Sequence, residues 1–159
     1  MGRAILLFAL CVLPALVAAA RPARTQFEVE GYVYCDHCRA GFETQKTTYI
    51  AGARVRLECK NRQTMELVYS KEATTDSSGT YKIRVSEDHQ DQICDTMLVS
   101  SSRADCRSPS SGRDRARVVL TNNNGIASNK RYANSMGFEV EEPMSGCAEV
   151  LRQYKELDE

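Results

Sequence analysis

Histidine is scarce in this 159-residue chain, with only His37 and His89. Imidazole is the commonest general base and metal ligand, so this scarcity confines most acid–base and metal chemistry to two positions. His37 stands between two cysteines and His89 in an acidic loop. Both are read as exposed loop residues. No Gly-x-Ser-x-Gly elbow supports a serine nucleophile, and no catalytic residue is assigned. Glu87, Asp88 and Asp91 cluster, but the D-x-D-x-D-G ladder and closing glutamate of a calcium loop are missing. No metal or cofactor is therefore expected. Net charge is also lacking: 21 Lys and Arg balance 21 Asp and Glu, which implies neither nucleic acid nor an anionic membrane as partner. There is no Asn-x-Ser/Thr sequon, internal repeat or coiled-coil heptad.

A long apolar run is confined to the start. Arg3 precedes an almost wholly apolar stretch from Ala4 to Ala19, and Ala18-Ala19-Ala20 supplies the small residues of a cleavage site. This pattern predicts a secretory signal over 1–20, and the apolar stretch is too short for a membrane anchor. Removing 20 of 159 residues leaves 139, expected as a single domain over 21–159. Cys11 leaves with the leader, so seven cysteines become six: Cys35, Cys38, Cys59, Cys94, Cys106 and Cys147.

Cys35 and Cys38 form a C-x-x-C. A thioredoxin-type pair needs a helix N-terminus in a β-α-β frame, yet here a strand-like run precedes the pair and no long helical pattern follows. A zinc site needs a second close pair of ligands, but the later gaps are 21, 35, 12 and 41 positions. The surviving reading has each cysteine bridged to a different distant partner, in an oxidising compartment. Six cysteines allow about 15 pairings, and the residues do not choose among them.

Alternating apolar and polar residues mark the strands. Phe27 to Tyr34 places Phe27, Val29 and Val33 inward, with Glu28, Glu30, Tyr32 and Tyr34 outward. Ala53 to Lys60 is the clearest case, with Ala53, Val55, Leu57 and Cys59 inward. Further strands are predicted over Met65–Tyr69, Thr80–Val85, Ile93–Ser100, Val118–Thr121 and Gly137–Val140, with a turn at Thr74–Gly79. Residues 127–135 read as irregular. Cys147, Val150, Leu151 and Tyr154 fall on one face of a short C-terminal helix. The expected class is all-β: an antiparallel sandwich or flattened barrel of about seven strands, with that helix and three disulfides.

Arg103 to Arg117 reads as a long surface loop carrying Arg103, Arg107, Arg113, Arg115 and Arg117. Guanidinium groups pair bidentately with carboxylates, so these five are candidate ligands for an acidic wall polysaccharide such as pectin. Asp105 and Asp114 offset part of the charge. Tyr32 and Tyr34 could form part of an aromatic contact surface, but cross-strand packing on a partly covered face is the preferred reading.

The motif Val33-Tyr34-Cys35-Asp36-His37-Cys38-Arg39-Ala40-Gly41-Phe42-Glu43-Thr44, followed by Ile50-x-Gly52-Ala53-x-Val55-x-Leu57-x-Cys59, closely resembles the Ole e 1-like family of secreted plant pollen proteins and allergens. The likeness continues through Thr75-Asp76, Gly79-x-Tyr81, Cys94, Cys106, Gly125-Ile126 and Pro143 to Cys147. Two of these segments are also similar to transthyretin-like sandwiches. The family resemblance implies the bridges Cys35–Cys106, Cys38–Cys147 and Cys59–Cys94. It also implies a non-enzymatic extracellular protein of pollen hydration, germination or tube growth, in the extracellular space or cell wall. A receptor ectodomain or a cell-wall polysaccharide is the implied partner. The alternatives are a protease inhibitor presenting Arg39 or an arginine of 103–117, a pectin-binding module, and, least supported, a small hydrolase.

Overall fold

The computed structural model describes residues 26–156. The expected leader over 1–20 and Cys11 lie outside them. Ten strands and one helix follow in order: β1 (Phe27–Asp36), β2 (Thr48–Tyr49), β3 (Arg54–Asn61), β4 (Leu67–Thr74), β5 (Thr80–Val85), β6 (Gln92–Ser100), β7 (Cys106–Pro109), β8 (Arg115–Val118), β9 (Lys130–Tyr132), β10 (Met136–Val140) and α1 (Cys147–Glu156). The strands exceed the seven predicted because several are only two to five residues long, too short to show a period.

β1 is the hub. Its first half sits between β5, antiparallel, and β9, parallel; its second half sits between β2, antiparallel, and β10, parallel. β7 then extends the sheet from β10. The two parallel pairings depart from the purely antiparallel plan. They are possible because β9 and β10 return to β1 after long excursions rather than through hairpins. The second sheet runs β4-β3-β6-β8 and is antiparallel throughout.

The alternating strands bury one face each. Val29, Val33, Ile83 and Val85 from the first sheet meet Val55, Leu57 and Cys59 from the second, with Phe27, Phe138 and Met136 filling the layer between. Tyr81 of β5 reaches across it: its hydroxyl donates to Thr96 Oγ1 of β6 at 3.0 Å, satisfying the polar end of a buried ring. The turn before β5 closes as its residues dictate. Asp76 Oδ1 accepts from the Ser78 and Thr80 amides at 2.8 and 3.1 Å, and Gly79 holds φ +76° where a Cβ would sit 2.6 Å from Tyr49 Cβ.

Four local expectations change. β4 starts at Leu67 and runs on to Thr74, while Met65 sits at φ 60° in the hairpin before it. This edge strand is exposed on both faces for most of its length, so it carries no alternation to read. Residues 103–117 are not one loop, because they contain β7 and β8 and bury Ser110 and Ala116. Residues 127–135 contain β9, whose Arg131 is buried. Its guanidinium donates to the carbonyls of Val119, Thr121, Ser128 and Lys130 and lies 4.8 Å above the Phe27 ring. Finally, Tyr34 points outward by parity yet is fully buried. A segment folded over the end of β1 covers it.

Candidate functional site: an aromatic cleft on the outer face of β1

Three disulfides fix this covering segment and the sheets beneath it. Cys59 and Cys94 are register partners on β3 and β6, bridged with Cα atoms 4.0 Å apart. Cys35 at the end of β1 joins Cys106 at the start of β7. Cys38 joins Cys147, anchoring the first turn of α1 to the segment after β1. The two members of the C-x-x-C therefore reach different parts of the fold.

Asp36 organises the segment from within. Buried at the last position of β1, it accepts from the Cys38 amide at 3.0 Å through Oδ1 and from the Gly41 amide at 2.8 Å through Oδ2. Phe42 then meets Tyr154 of α1 edge-on, with ring centroids 5.1 Å apart. Beneath, Tyr34 lies so close to β10 that a Cβ on Gly137 would come within 2.6 Å of its Cζ. Burial pushes the Tyr34 phenol up to about 12, opposed by the nearby Arg113.

Beyond the edge of this covering segment the outer face of β1 opens into a cleft of ≈ 570 Å³. Glu30, Tyr32 and Tyr34 lie along β1; Phe42, Glu43, Arg113 and residues 132–135 form its sides. Tyr132 stands directly beside Glu30 in the β1–β9 register and is 69% exposed, while Tyr32 is 40% exposed and tilts against Tyr49 at 5.7 Å. Tyr49 donates to Glu43 Oε1 at 2.8 Å, and that bond, ahead of burial, raises its phenol. Glu30 faces Lys82 at 3.5 Å and Lys130 at 4.0 Å through Oε2, an oxygen that makes no hydrogen bond.

The five arginines do not share a surface. Arg103 bonds Asp105 and Thr48; Arg107 lies on β7 beside a second hollow lined by Glu139, Glu141 and Glu142. Arg115 and Arg117 are exposed on β8 in the other sheet, the latter paired with Asp95. Arg113 alone among them lines the cleft, its Nε donating to Gly41 O at 2.7 Å. Arg39, at φ 52°, is tied down by Glu139 Oε1 and Glu141 O, so it is not offered as the free side chain an inhibitory loop would insert.

The histidines differ from each other. His37 bonds Thr48 Oγ1 at 2.9 Å, and burial, then Arg103, lower its pKa. His89, expected to be exposed, is 5% exposed: its Nδ1 meets Gln92 Oε1 at 2.7 Å and its ring packs against Tyr69 at 4.9 Å. It approaches Cys59 and Cys94 within 4.8 Å, but those sulfurs are bonded to each other and offer no thiolate. Asp88 accepts from Thr121 Oγ1, Asn122 N and Gln90 N, the bonds of a loop clasp rather than a calcium cage.

Sequence reading named Tyr32, Tyr34 and Arg113 but did not unite them, and it missed Tyr132, Asn134 and Ser135 altogether. The last three lie in a stretch that shows no period, and only the parallel pairing of β9 brings them beside β1.

Comparison with known proteins gives a consistent result. The family model described as "Pollen protein Ole e 1 like" matches residues 25–155. Protein DOWNSTREAM OF FLC of Arabidopsis thaliana is 48% identical over 149 residues, covering 94% of this chain and 90% of its own. Pollen-specific protein C13 of Zea mays is 43% identical, covering 98% and 92%. Anther-specific protein LAT52 of Solanum lycopersicum is 43% identical, covering 92% and 91%. Among solved structures, the major plantain pollen allergen Pla l 1 superposes with a TM-score of 0.69 at 32% identity, covering 77% of this chain and 99% of that one.

Proposed function

The chain belongs to the Ole e 1-like family of pollen proteins, and from that premise we propose that it is a secreted, non-catalytic binding protein. It works outside the cell in pollen hydration, germination or tube growth, by engaging a wall component or a receptor ectodomain. The observation that supports this reading most is the cleft on β1: exposed rings and unbonded polar groups are held on a scaffold stapled by three disulfides. Such a surface is pre-organised for binding, since little conformational freedom is lost when a ligand docks. Three further facts are consistent with a secreted role. The family's members include proteins named for pollen and anther; the chain carries disulfides; and among the described residues no helix is long and apolar enough to cross a membrane.

The test is a pull-down from pollen and pistil extracts with the oxidised protein, run in parallel with Tyr132→Ala. A component retained by the first and lost with the second supports the reading. Retention that is identical for both, or no retention at all, removes it.

A further inference from the structure

Six side chains that could meet a ligand line the β1 cleft. The rings of Tyr132 and Tyr32 present faces to solvent. The side chains of Asn134 and Ser135 line the same space, and neither enters any hydrogen bond among the described residues. Arg113 spends only its Nε on Gly41 O, leaving both Nη groups as donors. Glu30 also lines the space, but its Oε2 is buried against Lys82 and Lys130.

This inventory has a chemical complement. Aromatic faces are electron-rich and attract the weakly positive C–H groups on the flat side of a pyranose or furanose ring. Amide, hydroxyl, guanidinium and carboxylate groups at the rim match hydroxyls, which both donate and accept. The cleft, at ≈ 570 Å³, falls in the size range of small-ligand sites, roughly 300–1,000 Å³.

Charge selects among sugars. Glu30 and Glu43 line the cleft together with Arg113, and Lys82 and Lys130 stand against Glu30 and Glu28, so carboxylates and cations offset one another there. A polyuronate would find no concentration of cations to match its repeated carboxylates, whereas an uncharged glycan needs none. The other four arginines that would favour a polyanion lie elsewhere on the molecule. We infer that the cleft binds a neutral oligosaccharide, a short stretch of uncharged wall-type glycan laid against Tyr132 and Tyr32, with Asn134, Ser135 and Arg113 on its hydroxyls. This rests on the reading of the cleft as the binding site and adds the class of ligand.

The experiment is calorimetric titration of the oxidised protein with neutral tetrasaccharides of glucose, xylose, galactose and arabinose, and with tetragalacturonate, at low and high salt. Wild type is compared with Tyr132→Ala, Asn134→Ala and, away from the cleft, Arg107→Ala. Tyr132 is too exposed for its loss to unfold the chain, and a thermal melt of each variant verifies this. The expected result is salt-insensitive binding of at least one neutral tetrasaccharide, weakened about tenfold or more by Tyr132→Ala, less by Asn134→Ala and not by Arg107→Ala. Binding of tetragalacturonate alone, lost as salt rises, would overturn the inference. So would a neutral sugar bound equally by wild type and Tyr132→Ala, or no sugar bound at all. If no sugar binds while the pull-down still depends on Tyr132, the ligand class is wrong and the binding role of the cleft stands.

Discussion

β1 and β3 have the same kind of sequence, apolar and polar residues in alternation, and they end in different environments. Along β3 the inner residues Val55, Leu57 and Cys59 are fully buried while Arg54, Arg56 and Glu58 stay at the surface, with Arg54 and Arg56 sharing Glu72 of β4. Along β1 the alternation holds to Tyr32 and then stops: residues 33 to 36 are buried on both faces. The difference is made by the segment after β1, which Cys38 and Asp36 fold back over the strand end. A period of two thus reports one covered face; a second cover added by a distant part of the chain leaves no mark in it.

The comparison can be broken first at β3. Leu57→Ala removes a fully buried side chain from the layer between the sheets and should cost about 3 to 5 kcal/mol, whereas Arg56→Ala on the same strand should leave the denaturation midpoint nearly unmoved. Equal losses for the two would mean that the outer ion pairs hold the sheet as strongly as the core does.

At β1 the counterpart is the cover. Replacing Cys38 and Cys147 together by serine releases a bridge that spans 109 residues of sequence and should cost about 2 to 5 kcal/mol. The cover should loosen with it. Hydrogen exchange would show new openings at residues 34 to 44 and none in β3; uniform exchange throughout would contradict a locally acting clamp.

A smaller effect is expected inside the cover. Asp36→Ala leaves the Cys38 and Gly41 amides without their acceptor and should cost about 1 to 3 kcal/mol, again by chemical denaturation. A neutral result would show that the bridge alone holds the segment.

The smallest effect is seen only in alkali. Tyr34 and Tyr81 are held neutral by burial up to about 12, against 10.0 in the unfolded chain. Below pH 10 both states keep the proton and stability is intact; above it the unfolded chain ionises first, so stability falls as pH rises towards 12. Phenolate absorbance should show Tyr34 and Tyr81 ionising only well above pH 10, in one cooperative step with unfolding. Titration of every tyrosine together near pH 10 would argue that Tyr34 is not covered.

Much of the fold was legible because burial between two sheets imposes alternation, and β3 and β5 carry it nearly to their ends. The elements that escaped are those whose environment is not one-sided. Edge strand β4 is wet on both faces, and β9 is three residues long with an arginine turned inward. His89 read as an exposed loop residue because its cover comes from Tyr69 and the chain around Leu120, neither of them its neighbour in sequence. The arginines of 103–117 looked like one cluster only while that stretch was taken as a single loop. Two intervening strands send them to different sheets.

The sequence by itself determined the β class, the C-terminal helix, the positions of the six cysteines within residues 26–156 and the family, since each is written in local periodicity or in a motif that survives without knowing what lies nearby. The tertiary structure alone decided what stands beside what. Tyr132, Asn134 and Ser135 reach Tyr32 and Glu30 through parallel pairing across a hundred residues of chain, and Tyr34 disappears under a clamped segment. Such contacts depend on how distant segments pay for their lost entropy together, and no local pattern encodes that sum.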